Sequence, residues 1–176
     1  MYSHWAYILI GNNNTGKTSF QRHIVEKLCD VKYTRLPRNV VNAITHPRAP
    51  KALTTLFTCN RSFQEKLGEY KTVPHYFKHF FQDADICFLS SHTTGSSVQH
   101  VASMVSELKR RCYNVGGIFW SNGFDANAKQ MAEQLPWSEV FWIENPPLTN
   151  PHDIKAQLEQ RAKHFADMLV ARAYAQ

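Results

Sequence analysis

The stretch Tyr7-Ile8-Leu9-Ile10-Gly11-Asn12-Asn13-Asn14-Thr15-Gly16-Lys17-Thr18 decides the fold. Its first four residues form a continuous apolar run, as in a parallel strand buried on both faces. From Thr18 the spacing turns helical, with Phe20, Ile24 and Leu28 on one face. A loop with glycine at both ends joins the two. Glycine lets the backbone wrap closely around an anion, and the N–H groups of the loop and of the following helix turn face it.

The loop matches G-x-x-x-x-G-K-[ST] in the strand–helix context that this pattern requires. Here the chain resembles the P-loop NTPase superfamily. The resemblance implies that Gly11, Asn12, Asn13, Asn14, Thr15, Gly16, Lys17, Thr18 and Ser19 bind the phosphates of GTP or ATP. It gives Lys17 and Thr18 the catalytic roles, Lys17 reaching the β- and γ-phosphates and Thr18 offering its hydroxyl to Mg²⁺.

Outward from the loop, apolar runs alternate with helix-period segments. Asp85 to Leu89, Val115 to Trp120 and Val140 to Ile143 read as strands. Val98, Val101, Val105, Leu108 and Cys112 make a helical stripe, and Ala128 to Leu135 a shorter helix. Asn150-Pro151 is helix-start chemistry, and the helix after it should bury Ile154, Leu158, Ala162, Phe165 and Leu169. The alternation predicts a three-layer α/β fold, a mostly parallel sheet with helices on both faces, in a single nucleotide-binding domain over residues 1–176. Residues 31–82 read less clearly. Val31 to Thr34 fits a strand. Leu53, Leu56, Phe57, Phe63 and Leu67 fit a helix, yet Ala52 to Thr58 also fits a strand.

The second half resembles a GTPase. The strand from Val115 ends in Asn122-Gly123-Phe124-Asp125, an N-x-x-D where that family carries N-K-x-D. The resemblance makes Asn122 and Asp125 the guanine-binding pair, with Gly123 in place of the lysine. The family's D-x-x-G is missing. Its closest register puts Thr58 at the Asp and Arg61 at the Gly, which implies slow or absent hydrolysis. Asp83 and Asp85 precede their strand, at its far end from the phosphates, and Gln64 is the candidate for positioning water.

Charge supplies a competing reading. Residues 1–88 carry 12 Lys or Arg against 6 Asp or Glu, while residues 89–176 carry 8 of each. Between Val31 and Gln64 stand six basic residues and no acid: Lys32, Arg35, Arg38, Arg48, Lys51 and Arg61. Such bias points to an anionic second ligand at residues 31–64, whether nucleotide, nucleic acid or acidic protein. Tyr33 to Pro37 and Phe57 to Arg61 resemble a thymidylate-kinase-like pattern, which implies that Arg35, Arg38 and Arg61 hold the phosphate of an acceptor. That family's Asp-Arg pair is absent. A third possibility is a nucleotide-dependent module whose basic segment contacts nucleic acid or an acidic protein; the interleaved Tyr33, Phe57 and Phe63 would then stack on bases, the other reading being that they belong to the core.

The remaining chemistry-bearing residues read as structural. Cys29, Cys59, Cys87 and Cys112 have neither zinc nor disulfide-framework spacing, so buried reduced thiols and a cytoplasmic location are expected. His75, His79, His92 and His100 are clustered without an acidic metal motif. No run approaches the ~20 apolar residues of a membrane span, so no membrane partner is expected. Neither chain end carries a signal-peptide or lipidation pattern.

Overall fold

The structure, a computed structural model, describes residues 4–175. Met1, Tyr2 and Gln176, on which the reading of the chain ends partly rests, lie outside them. The strands are β1 (Trp5–Ile10), β2 (Val40–Ala43), β3 (Thr55–Ser62), β4 (Ile86–Ser91), β5 (Asn114–Trp120) and β6 (Glu139–Ile143). They form one sheet in the order β2-β3-β4-β1-β5-β6. Every neighbouring pair is parallel except β2 and β3.

The helices are α1 (Lys17–Cys29), α2 (Leu67–Tyr70), α3 (Val73–His79), α4 (Ser97–Arg110), α5 (Ala126–Gln134) and α6 (Pro151–Tyr174). On one face, Phe20, Ile24 and Leu28 of α1 and Leu158, Phe165 and Leu169 of α6 pack on Tyr7, Leu9, Phe88 and Ile118. On the other, α3, α4 and α5 cover Ala6, Ile8, Cys87 and Phe119. Crossover handedness accounts for α1 lying opposite α3, α4 and α5. Parallel connections keep one hand, so reversing the direction of travel across the sheet moves the helix to the opposite face. From β1 the chain travels out to β2, then returns through β3 and β4 and crosses beyond β1 to β5 and β6. The reversal makes the carboxyl end of β1 a topological switch point, where open α/β sheets form their binding crevice.

Several sequence expectations are corrected. Val31 to Thr34 is not a strand; the strand lies further on, at Val40–Ala43. Of the two readings of Ala52 to Thr58 the strand holds, though it starts at Thr55 and runs to Ser62, with Leu56 facing one apolar layer and Phe57 and Cys59 the other. The helix-like spacing there reflects burial on both faces. Cys112 lies beyond α4 in a turn with φ 65°, and it is exposed, whereas the other three thiols are buried. Ile154 is also exposed, so the apolar stripe of α6 begins at Leu158. Among the described residues, no helix is long and apolar enough to cross a membrane.

Candidate functional site

Gly11 to Gly16 connect the end of β1 to α1. The Gly11 N–H donates to the Ser91 carbonyl (3.1 Å), which ties the loop to β4. The Thr15 hydroxyl donates to the Asn12 carbonyl (2.9 Å), folding the loop on itself. Asn14 has φ 65° and Gly16 φ 104°. A Cβ at Gly16 would stand 2.9 Å from Leu158 Cδ2, so both backbone conformation and packing require glycine there. Gly16 is the N-cap of α1, no side chain caps this end, and the first turn holds no acid. The first N–H groups of α1 are therefore available to an anion, with the helix dipole favouring it.

Lys17 is buried, and its ammonium donates to the carbonyls of Gly11 and of Asn12, the latter at 2.8 Å. Burial pulls it from 10.5 down to about 8, opposed by the nearby Glu65 carboxylate. The hydroxyl of exposed Thr18 donates to the Asn60 carbonyl at 3.4 Å. Residues 13–19 form one wall of a cleft of about 720 Å³, and Asn60, Arg61, Ser62, Glu65 and Lys66 form the other.

That second wall comes from the end of β3 and the 3₁₀ turn Phe63–Lys66. Ser62 is buried, and its hydroxyl has no hydrogen-bond partner. Glu65 pairs with Arg61 Nη1 (3.3 Å) and His92 Nε2 (3.2 Å). It is the acid that the sequence reading missed at this cleft. The available signal was its position as the first acid after the acid-free segment 31–64. Gln64 is turned elsewhere. Its amide donates to the Ser91 hydroxyl (3.0 Å), and its oxygen accepts from the His92 N–H (3.1 Å), fastening the turn to the end of β4. Thr58 is fully buried within β3, away from the cleft, while Asp85 stands before β4 and accepts hydrogen bonds from Thr54 and Thr55. Burial raises that carboxyl, but these hydrogen bonds outweigh it and hold the group below its ordinary value.

Asn122 and Asp125 come near the loop. A Cβ on Gly123 would meet Thr15 Cγ2 at 2.9 Å. Asn122 is exposed, whereas both Asp125 oxygens are engaged. Oδ1 accepts from the Ala128 N–H (2.7 Å) as the N-cap of α5, and Oδ2 accepts from the Thr93 hydroxyl (2.6 Å). On the opposite side of the cleft, Arg35, Arg38 and Arg61 do converge. With Lys66 they line a second pocket of about 330 Å³, which shares Asn60, Arg61 and Lys66 with the first. Arg38 pairs with Glu69 at 2.8 Å. The rings of His75 and His79 lie 4.4 Å apart on α3 and line neither pocket, and no group of three or more metal-ligating side chains occurs among the described residues.

No family model matches the chain, and no curated protein matches it in sequence.

Proposed function

We propose that the chain is a P-loop protein that binds a nucleoside triphosphate with Mg²⁺ at Gly11–Thr18 and transfers the γ-phosphoryl group. The observation that carries this reading is the uncapped N-terminus of α1 opening, with Lys17, into the cleft at the switch point of the sheet. On binding, Lys17 exchanges the Gly11 and Asn12 carbonyls for phosphate oxygens. Thr18 and Ser62 fit a magnesium site, since one hydroxyl is exposed at the cleft and the other is buried there without a partner. Mg²⁺ takes most of its ligands from water and phosphate, and when bound it neutralises the charge developing on the phosphates. The test is titration with a fluorescent triphosphate. Wild type should bind and Lys17→Ala should not; equal affinity for the two would sink the reading.

The GTPase resemblance makes GTP the first candidate and ATP the alternative. A guanine held by Asp125 has to displace the Thr93 hydroxyl or the Ala128 N–H from its carboxylate. Competition between GTP and ATP decides the base. A second reading, transfer to a phosphorylated acceptor as in thymidylate-like kinases, is favoured by the basic pocket of Arg35, Arg38, Arg61 and Lys66 continuous with the cleft. Labelled triphosphate incubated with nucleoside monophosphates separates the two, because only a kinase moves the label to the acceptor.

A further inference from the structure

The geometry points to Glu65 as the catalytic base of this site, and hence to a neutral O–H nucleophile, water or an alcohol, as the group that attacks the γ-phosphorus. This rests on the triphosphate reading of the cleft. Among the described residues, Glu65 supplies the only carboxylate on the cleft walls, and it does so opposite the loop and the N-terminus of α1. Its two oxygens are held from both sides, Oε2 by Arg61 Nη1 at 3.3 Å and Oε1 by His92 Nε2 at 3.2 Å. The histidine is itself fixed, because its backbone N–H donates to the Gln64 side chain that anchors the turn to β4. The rotamer of Glu65 is thus set by β3, by the turn and by the β4–α4 loop together.

Beside a triphosphate such a carboxylate either supports Mg²⁺ or takes a proton; with the metal given to the Thr18 and Ser62 hydroxyls, the proton is the task left to it. It repels the phosphates, so it contributes nothing to binding them. It can take the proton of an attacking O–H group. The new bond forms between that oxygen and the γ-phosphorus, the β–γ bridging P–O bond breaks, and the nucleoside diphosphate leaves with the electron pair. The proton passes to Glu65 and then to solvent. A phosphate oxygen as nucleophile is already deprotonated at neutral pH and needs no such base. Arg61 and His92 act through Glu65 as positioning residues. The charged or titratable groups around it are Lys17, Arg61, Lys66 and His92.

The experiment measures turnover of γ-labelled triphosphate with Mg²⁺, alongside nucleotide affinity, for wild type, Glu65→Gln, Glu65→Ala and His92→Ala. Glu65→Gln should lower turnover about 10²–10⁴-fold, the usual worth of a general base, without weakening nucleotide binding. Added formate should restore part of the rate of Glu65→Ala, a response that a purely structural role does not give. His92→Ala should lower kcat more than it raises KM. Label recovered as inorganic phosphate identifies water as the nucleophile, and label on an added polyol identifies an alcohol; either supports the proposal. Turnover of Glu65→Gln within threefold of wild type overturns it. So does a parallel loss of affinity and rate, which would make Glu65 a metal-supporting group, and so does label appearing on monophosphates alone. Wild type that binds nucleotide but never turns over removes the base and leaves the binding site standing. Wild type that fails to bind removes the triphosphate reading itself.

Discussion

Thr93 donates its hydroxyl to Asp125 Oδ2 across 2.6 Å, joining the β4–α4 loop to the start of α5. The same threonine gives its N–H to Asn12 Oδ1 (3.2 Å), and its carbonyl accepts from Asn127 Nδ2 (2.7 Å). A single buried residue therefore fastens the Gly11–Thr18 loop to the Asn122–Asp125 segment. The loop is held in shape by its neighbours as much as by its own glycines.

Asp125 is thus expected to act as a cap. Asp125→Ala should cost about 1–2 kcal/mol, the usual worth of an N-cap oxygen, measured by urea denaturation. Asp125→Asn keeps an acceptor for the Ala128 N–H and should be nearly neutral in stability. Competition of GTP against ATP and xanthosine triphosphate in that variant reads the base site separately: a swing toward xanthine is expected of an Asp125 that holds guanine, and an unchanged ranking would leave it a cap alone.

Nucleotide affinity should fall at alkaline pH. Burial sets free Lys17 at about 8, and a triphosphate binds its charged form. Binding therefore raises the lysine's pKa, so affinity is full below pH 8. Above that it drops about tenfold per pH unit until the bound lysine also titrates. Titrations from pH 7 to 9.5 measure this; a flat profile would show that Lys17 does not meet the phosphates.

Gly16→Ala should be among the most damaging single changes. It places a Cβ against Leu158 at a backbone angle of φ 104°. A strain of about 1–3 kcal/mol is expected, together with loss of nucleotide binding. Wild-type affinity in a folded Gly16→Ala protein would show that the loop tolerates another shape.

Stability should fall in mild acid. Burial, the largest cause in each case, holds His23, His46, His92 and His100 below their ordinary value of 6.5. For a depressed histidine the stabilising balance is intact above 6.5 and is lost as pH falls toward the folded-state value. His23 matters most because neither ring nitrogen has a hydrogen-bond partner, and its nearest acid, Glu26, stands 3.9 Å away. Thermal melts between pH 8 and 5 should show the decline, and His23→Leu should soften it. An unchanged slope in that variant would locate the sensitivity elsewhere.

The sequence was readable where apolar periodicity and punctuation agree. Asn150-Pro151 announces α6, whose Asn150 side chain does cap the His152 N–H at 2.9 Å. The run from Tyr7 to Ile10 ends at a glycine and is β1. β2 was missed because it is a four-residue edge strand carrying a buried polar residue, Asn42, whose Oδ1 accepts from the Tyr33 hydroxyl at 2.7 Å while its Nδ2 is left without a partner. The start of β3 is fixed by Asp85, about 30 residues away, which no local pattern can announce. Charge bias together with the kinase-like pattern points to Arg35, Arg38 and Arg61 as a group, but their merging with the loop cleft depends on β3 placing Arg61 between the two pockets. Glu65 is marked in the sequence only as the first acid after the acid-free segment, and its place on an irregular turn gives no hint of what stands opposite.

The Asn145 side chain gives its amide N–H to the Thr15 carbonyl (2.8 Å), and its oxygen accepts from Gln157 (2.6 Å). The chain between Asn145 and Gln157 is almost wholly exposed, so little else holds the first turns of α6 in place. Local opening should accordingly be shared: when these turns fray, the loop loses its clamp, and a ligand that stiffens the loop must also quiet the fraying. Amide hydrogen exchange would register a molecule seated at the end of β1 as protection in the first half of α6, more than 130 residues further along the chain.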